Sequence, residues 1–159
     1  NSNLSLLVDV PNLVILQTFS KAWGMAGARL GMAFAGVEII DTLNKIKPPY
    51  NVNTLSQKEA IIALNNASKT NNQIKSIIEE RDNLVTQLQE LNHVVKIFPS
   101  EANFLLVEFK NADVLFNKLI EKGIIVRNRT SQVKDCIRIT VGTAEENTLL
   151  LKTLKDMQG

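Results

Sequence analysis

Apolar positions along this chain follow two rhythms, one of strand length and one of helical period. Leu13-Val14-Ile15-Leu16 is an uninterrupted apolar run, the pattern of a strand buried on both faces as in a parallel sheet. Met32-Ala33-Phe34-Ala35 repeats it, and a helix begins near Glu38. Lys47-Pro48-Pro49-Tyr50 breaks the chain, because the residue before a proline is pushed out of the helical region. Two helices are expected next, over 54–65 and 71–92. In the second, Ile74, Ile77, Ile78, Arg81, Leu84, Val85, Leu88 and Leu91 recur at the spacing of one helical face. At about 1.5 Å per residue it spans on the order of 30 Å, enough to connect two domains.

Beyond that helix the pattern changes. Strands are expected over 94–98 and 103–109, separated by Pro99-Ser100-Glu101, and a helix over 113–122 is stopped by Gly123 in the left-handed conformation. Two further strands, 124–127 and 136–141, precede Thr143-Ala144-Glu145-Glu146, a capping box that opens a last helix lined by Leu150, Leu151, Leu154 and Met157. The division this pattern predicts is a first region over 1–70 and a compact α/β domain over 71–159.

Composition narrows the class. The 159 residues are 45% hydrophobic with a net charge of only +2, which excludes disorder. The single cysteine, Cys136, excludes an internal disulfide framework and suits a reducing cytoplasm. No uncharged apolar run reaches the ~18 residues of a membrane span, since the stretch 26–40 carries Arg29 and Glu38. Charges of both signs are interspersed, so no basic stripe points to nucleic acid. The chain opens on Asn1 just ahead of a buried-type strand, which reads as part of a longer protein.

Candidate chemistry concentrates after the first strand. Thr18-Phe19-Ser20-Lys21 leads into a stretch in which four of the seven glycines (Gly24, Gly27, Gly31, Gly36) fall within thirteen residues, and Arg29 lies among them. A lysine past a strand end, shielded from water, is disfavoured as ammonium, so its amine is available to form a Schiff base. Thr18 and Ser20 offer neutral phosphate donors, Arg29 a charged and forked one. A nucleotide P-loop is a poor fit, because Lys21 precedes the glycines. A solvated turn with no ligand stands as the alternative at this point. Three of the five arginines, Arg127, Arg129 and Arg138, fall within twelve residues. Alternation between Ile137 and Ile139 turns Arg138 away from the apolar face, and Arg127 closes the preceding strand, so both can reach one cleft. Solvated strand-edge charges are the alternative here, and Arg129 is read as surface.

The segment Gln17-Thr18-Phe19-Ser20-Lys21-Ala22-Trp23-Gly24-Met25-Ala26-Gly27-Ala28-Arg29-Leu30-Gly31 resembles the lysine segment of aspartate-aminotransferase-like, fold-type I pyridoxal-phosphate enzymes. More narrowly it is similar to histidinol-phosphate aminotransferases, and the likeness continues through Ala102-Asn103-Phe104, Gly123-Ile124-Ile125-Val126-Arg127 and Cys136-Ile137-Arg138-Ile139-Thr140-Val141-Gly142. The resemblance implies an α/β fold: a remnant of the large parallel-sheet domain over 1–70, then the connecting helix and a small α/β domain with an antiparallel sheet over 71–159. It implies pyridoxal 5'-phosphate as cofactor, bound covalently by Lys21, which also moves the Cα proton. Ser20 and Arg29 then hold the phosphate, with Thr18 a weaker contributor, and Trp23 stands where the family usually has Phe. Arg138 grips the donor's carboxylate, and Arg127 with Arg138 meets the substrate phosphate. Tyr50-Asn51-Val52-Asn53 corresponds to a loop that runs along a homodimer interface.

The family's ring-stacking aromatic and nitrogen-pairing Asp belong to an N-terminal half with no counterpart here. The expected partners are small molecules (an amino acid or amino-alcohol phosphate and a 2-oxo acid) and a second copy of the parent chain, with no nucleic acid and no membrane. Two other readings remain at this level: a related decarboxylase of amino-acid phosphates, and a non-catalytic α/β association module.

Overall fold

The computed structural model describes residues 3–157. The chain divides into two compact units, one up to Asn71 and one from Asn72 onward.

In the first unit, a 3-10 turn at Leu4–Leu7 leads to β1 (Val14–Thr18), which pairs antiparallel with β2 (Gly31–Ala35) from Val14 opposite Ala35 to Thr18 opposite Gly31. The apolar run that predicts a doubly buried, parallel strand is therefore one arm of a two-stranded antiparallel hairpin. Leu16 is 78% exposed, and Ile15 alone within β1 is half-buried. The physical reason is plain: a two-stranded ribbon has no third strand or covering layer to bury either face. Helices α1 (Val37–Ile46) and α2 (Thr54–Asn65) follow. Asn53 caps α2, its side-chain oxygen accepting from the Ser56 amide at 2.9 Å.

Helix α3 (Ala67–Gln89) starts one residue after Asn66, whose side-chain amide donates to the Ile62 carbonyl and satisfies the end of α2. It begins and ends earlier than its hydrophobic period suggests. Within the second unit its apolar face is buried only toward the C-terminal end, at Leu84 and Leu88, continued by Leu91. Ile77 and Ile78 remain exposed.

The second unit holds a four-stranded antiparallel sheet of β3 (Val94–Ile97), β4 (Phe104–Phe109), β5 (Arg127–Asn128) and β6 (Cys136–Thr140), in the order β3-β4-β6-β5. Strict alternation along β4 and β6 sends Leu105, Val107, Phe109, Ile137 and Ile139 to one face, where they are buried. That face is covered by α3, α4 (Ala112–Glu121) and α5 (Ala144–Asp156) through Leu84, Leu88, Leu115, Leu119, Leu150, Leu151 and Leu154.

The strand expected over 124–127 shrinks to two residues. Gly123, at φ 75°, and Ile124 donate to the Ile120 and Leu119 carbonyls, so Ile124 completes the end of α4 and has no ladder partner. The capping box forms as the sequence predicts: Thr143 accepts from the Glu146 amide, and Glu146 accepts from the Thr143 amide at 2.8 Å.

Candidate active site

Thr18, Ser20, Lys21 and Arg29 share the connection that closes the β1–β2 hairpin. Pairing runs past the last ladder residues, because the Phe19 amide donates to the Leu30 carbonyl at 3.2 Å. Phe19 is 6% exposed, packs against Trp23 with ring centroids 5.6 Å apart and planes tilted by 49°, and accepts from the Met25 amide, which folds the loop back on itself. Thr18 is occupied by this architecture: its hydroxyl accepts from the Ser20 amide at 3.0 Å and donates to Leu30 at 3.4 Å. It shapes the loop, and the Ser20 hydroxyl has no hydrogen-bond partner among the described residues.

Arg29 sits in the left-handed region at φ 53° and ψ 41°, a conformation costing a non-glycine residue about 1–2 kcal/mol. One guanidinium nitrogen, Nη1, donates to the Ala26 carbonyl at 3.2 Å, and the group is exposed. Its remaining donors are uncommitted among the described residues. Lys21 is also exposed, so the shielding from water expected of it is not supplied within this unit. At Gly24, φ is +66°, and an added Cβ at Gly24 or Gly27 would meet open space.

Arg127 and Arg138 are brought together within the second unit as a directly opposed cross-strand pair of β5 and β6. Both therefore project from the sheet face opposite the core. Arg138 is half-buried, lies over the Phe104 ring at 5.0 Å, and its Nε is buried without a hydrogen-bond partner. A buried guanidinium N–H with nothing to donate to costs stability, and an anion bound there would relieve it. Two like charges opposite one another are likewise unfavourable until a counter-charge arrives.

Several residues that position these groups carry no local signal of doing so. Asp113 at the start of α4 accepts from Asn128 at 2.7 Å and from the Thr130 hydroxyl at 3.0 Å, tying down the strand that bears Arg127. Those two bonds hold its carboxyl below the ordinary carboxylate range. Phe104, part of the quoted family motif, turns out to be the platform for Arg138. Arg129 is half-buried, donates from its side chain to Gln132 at 3.3 Å, and its amide donates to the Cys136 carbonyl at 3.0 Å, continuing the pairing of β5 with β6. Cys136 is fully buried, and that burial pushes its thiol up, away from reactivity.

A family model described as aminotransferase class I and II matches residues 1–154. The histidinol-phosphate aminotransferase of Flavobacterium johnsoniae is 50% identical over 154 residues, covering 96% of this chain and 44% of that protein. Among solved structures, the histidinol-phosphate aminotransferase from Clostridium acetobutylicum superposes with a TM-score of 0.85 at 22% identity, over 99% of this chain and 49% of that one. The enzyme of the same name from Sinorhizobium meliloti, in complex with pyridoxal-5'-phosphate, gives 0.76 at 25% identity, over 97% and 44%. The chain thus spans less than half the length of these relatives. With the family match reaching from its first residue to Leu154, the chain belongs to the aminotransferase class I and II family.

Proposed function

We propose that these residues act as the lysine-bearing half of a histidinol-phosphate aminotransferase that exchanges the amino group of histidinol phosphate with 2-oxoglutarate, yielding imidazole-acetol phosphate and glutamate. The observation that carries this reading is the opposed Arg127–Arg138 pair with its buried, unpartnered Arg138 Nε, a built receptor for an anionic substrate end. Half-identity to a curated enzyme of that name supports the same assignment.

The loop donors fit the cofactor's phosphate. Ser20 offers a free hydroxyl, Arg29 a guanidinium with uncommitted donors, and the backbone at Gly24 and Gly27 leaves room for close approach. Pyridoxal phosphate, when bound, supplies a ring that takes up the electron pair left at the substrate Cα. The chain's own residues do the rest. Lys21 would anchor the cofactor's carbonyl carbon, and its amine, once released, would take the proton from the substrate Cα and return it to that carbonyl carbon. Arg138 orients the substrate by a forked grip on its anionic group, and Arg127 adds charge where that group is a phosphate. Glutamate's carboxylate and histidinol phosphate's phosphate share Arg138 in the two halves of the cycle.

Exposed apolar side chains throughout the first unit support its working inside a larger body. Val8, Leu16, Val37, Ile46 and Leu55 are all more than 70% exposed, and Tyr50, in the loop assigned to a homodimer contact, is 96% exposed. The proposed protein is a homodimer of the cytoplasm. Among the described residues no helix is long and apolar enough to cross a membrane.

The test is single-turnover kinetics of the full-length enzyme loaded with pyridoxal phosphate. Histidinol phosphate should convert far faster than unphosphorylated histidinol, and Arg127→Ala should narrow the gap. Equal rates for the two would remove the phosphate from the recognition scheme.

A further inference from the structure

We infer that Ser56, a residue of helix α2, is the positioning residue that sets the phosphate arm Arg29. The inference rests on the proposed role of Arg29 as a phosphate donor. Ser56 is 6% exposed, and its hydroxyl donates to the Ala28 carbonyl at 2.7 Å, a contact between residues 28 positions apart. That carbonyl belongs to the same rigid plane as the Arg29 amide nitrogen, because the peptide bond does not rotate. Holding the Ala28 carbonyl therefore holds the plane from which the Arg29 side chain departs.

The hold matters because Arg29 is in a conformation it does not choose freely. At φ 53° a side-chain-bearing residue is strained and relaxes to negative φ unless the surroundings prevent it. Its own bond from Nη1 to Ala26 is exposed and local, so it resists that relaxation weakly.

The direction of the Ser56 proton is fixed in turn. The Ser56 amide donates to Asn53 Oδ1 at 2.9 Å, which settles the orientation of the Asn53 side chain. Asn53 Nδ2 then donates to Ser56 Oγ at 3.0 Å. With one side of the hydroxyl occupied by a donor, its hydrogen goes to Ala28. The helix cap, the serine and the loop carbonyl form one polarised chain of hydrogen bonds ending at the Arg29 peptide.

The readout that separates positioning from general support is the ratio of affinities for pyridoxal 5'-phosphate and for pyridoxal, which lacks the phosphate. Both are titrated into the full-length apoenzyme and followed by absorbance. Arg29→Ala should lower that ratio by about tenfold or more, as the loss of charge-assisted bonds requires. Ser56→Ala should lower it by about threefold to tenfold, the worth of one hydrogen bond, with pyridoxal affinity within about twofold of the parent. In an Arg29→Ala background Ser56→Ala should change the ratio no further.

Asn53→Asp is the second variant. It keeps the cap acceptor but draws the Ser56 proton away from Ala28, and it should lower the ratio in the same direction without truncating any buried side chain. An equal loss for both ligands in Ser56→Ala and no change of ratio in Asn53→Asp would overturn the inference while leaving Arg29 as the phosphate arm. An unchanged ratio in Arg29→Ala would remove the reading of Arg29, and the inference with it.

Discussion

Removing Arg127 should separate stability from function, moving the two in opposite directions. Arg127 faces Arg138 across β5 and β6, so each destabilises the other in the absence of an anion. Unlike most cross-strand pairs, this one is unfavourable by roughly 0.2–1 kcal/mol. Arg127 is exposed on a two-residue strand, which puts the figure at the lower end, and little packing is lost with its side chain. Arg127→Ala should therefore raise the melting temperature of the second unit by about 1–4 °C, taking about 4–8 °C per kcal/mol for a domain of this size.

Function should move the other way. A charge-assisted contact to a phosphate is worth about 1.5–3 kcal/mol, or about tenfold to over a hundredfold in kcat/KM. The loss should fall mainly on the phosphorylated substrate. Arg138→Ala should cost both half-reactions, because glutamate's carboxylate shares that guanidinium. Stopped-flow half-reactions of the full-length enzyme, beside thermal melts with and without inorganic phosphate, measure all of this. A lower melting temperature in Arg127→Ala, with kcat/KM for the phosphorylated substrate within about twofold of the parent (~0.4 kcal/mol), would refute the reasoning.

Further outcomes follow from other parts of the molecule. The 159-residue chain alone should show no steady-state transamination with glutamate, since the ring-stacking aromatic and nitrogen-pairing Asp are assigned outside it; measurable turnover would contradict that assignment. His93, the sole histidine, stacks on Phe109 with its Nε2 buried and unpartnered, and burial, aided by Lys110, holds its pKa below the ordinary 6.5. The unfolded chain then takes up this proton first, so stability falls as pH drops below about 6.5 and levels off below the folded-state value. Melts across that window should show this slope in the parent and lose it in His93→Gln. Thr143→Ala removes the cap of α5 and should cost about 1 kcal/mol in urea unfolding, with the slope of the transition unchanged.

How much of this is legible in the sequence depends on how local each cause is. Helix α2 and the capping box of α5 are written in adjacent residues, Asn53 with Ser56 and Thr143 with Glu146, and both form where the pattern puts them. The β4 and β6 alternation is legible for the same reason, each residue's face being set by its neighbours' parity. The environment of β1 is not, because an apolar run announces that something covers it but not what. Likewise the apolar stripe on α3 is continuous in sequence, while only the part near Leu84 and Leu88 meets the core of the second unit.

In the candidate site, residue type and spacing mark Lys21, Ser20 and Arg29 as candidates that the family resemblance then assigns, and parity alone turns Arg138 outward. Register is what the sequence lacks. That Arg127 falls directly opposite Arg138 depends on where β5 survives after the α4 cap consumes Ile124. That Ser56 reaches the peptide of Arg29 depends on a backbone carbonyl, which has no side chain to betray it.

Attachment of the cofactor to Lys21 can be read by labelling. The full-length enzyme, loaded with pyridoxal phosphate and reduced with borohydride, is digested and its modified peptides located by mass spectrometry. One pyridoxyl group per chain is expected, on Lys21, absent from Lys21→Ala together with all transamination. Stoichiometric label on another lysine, or near-parental turnover in Lys21→Ala, would contradict it.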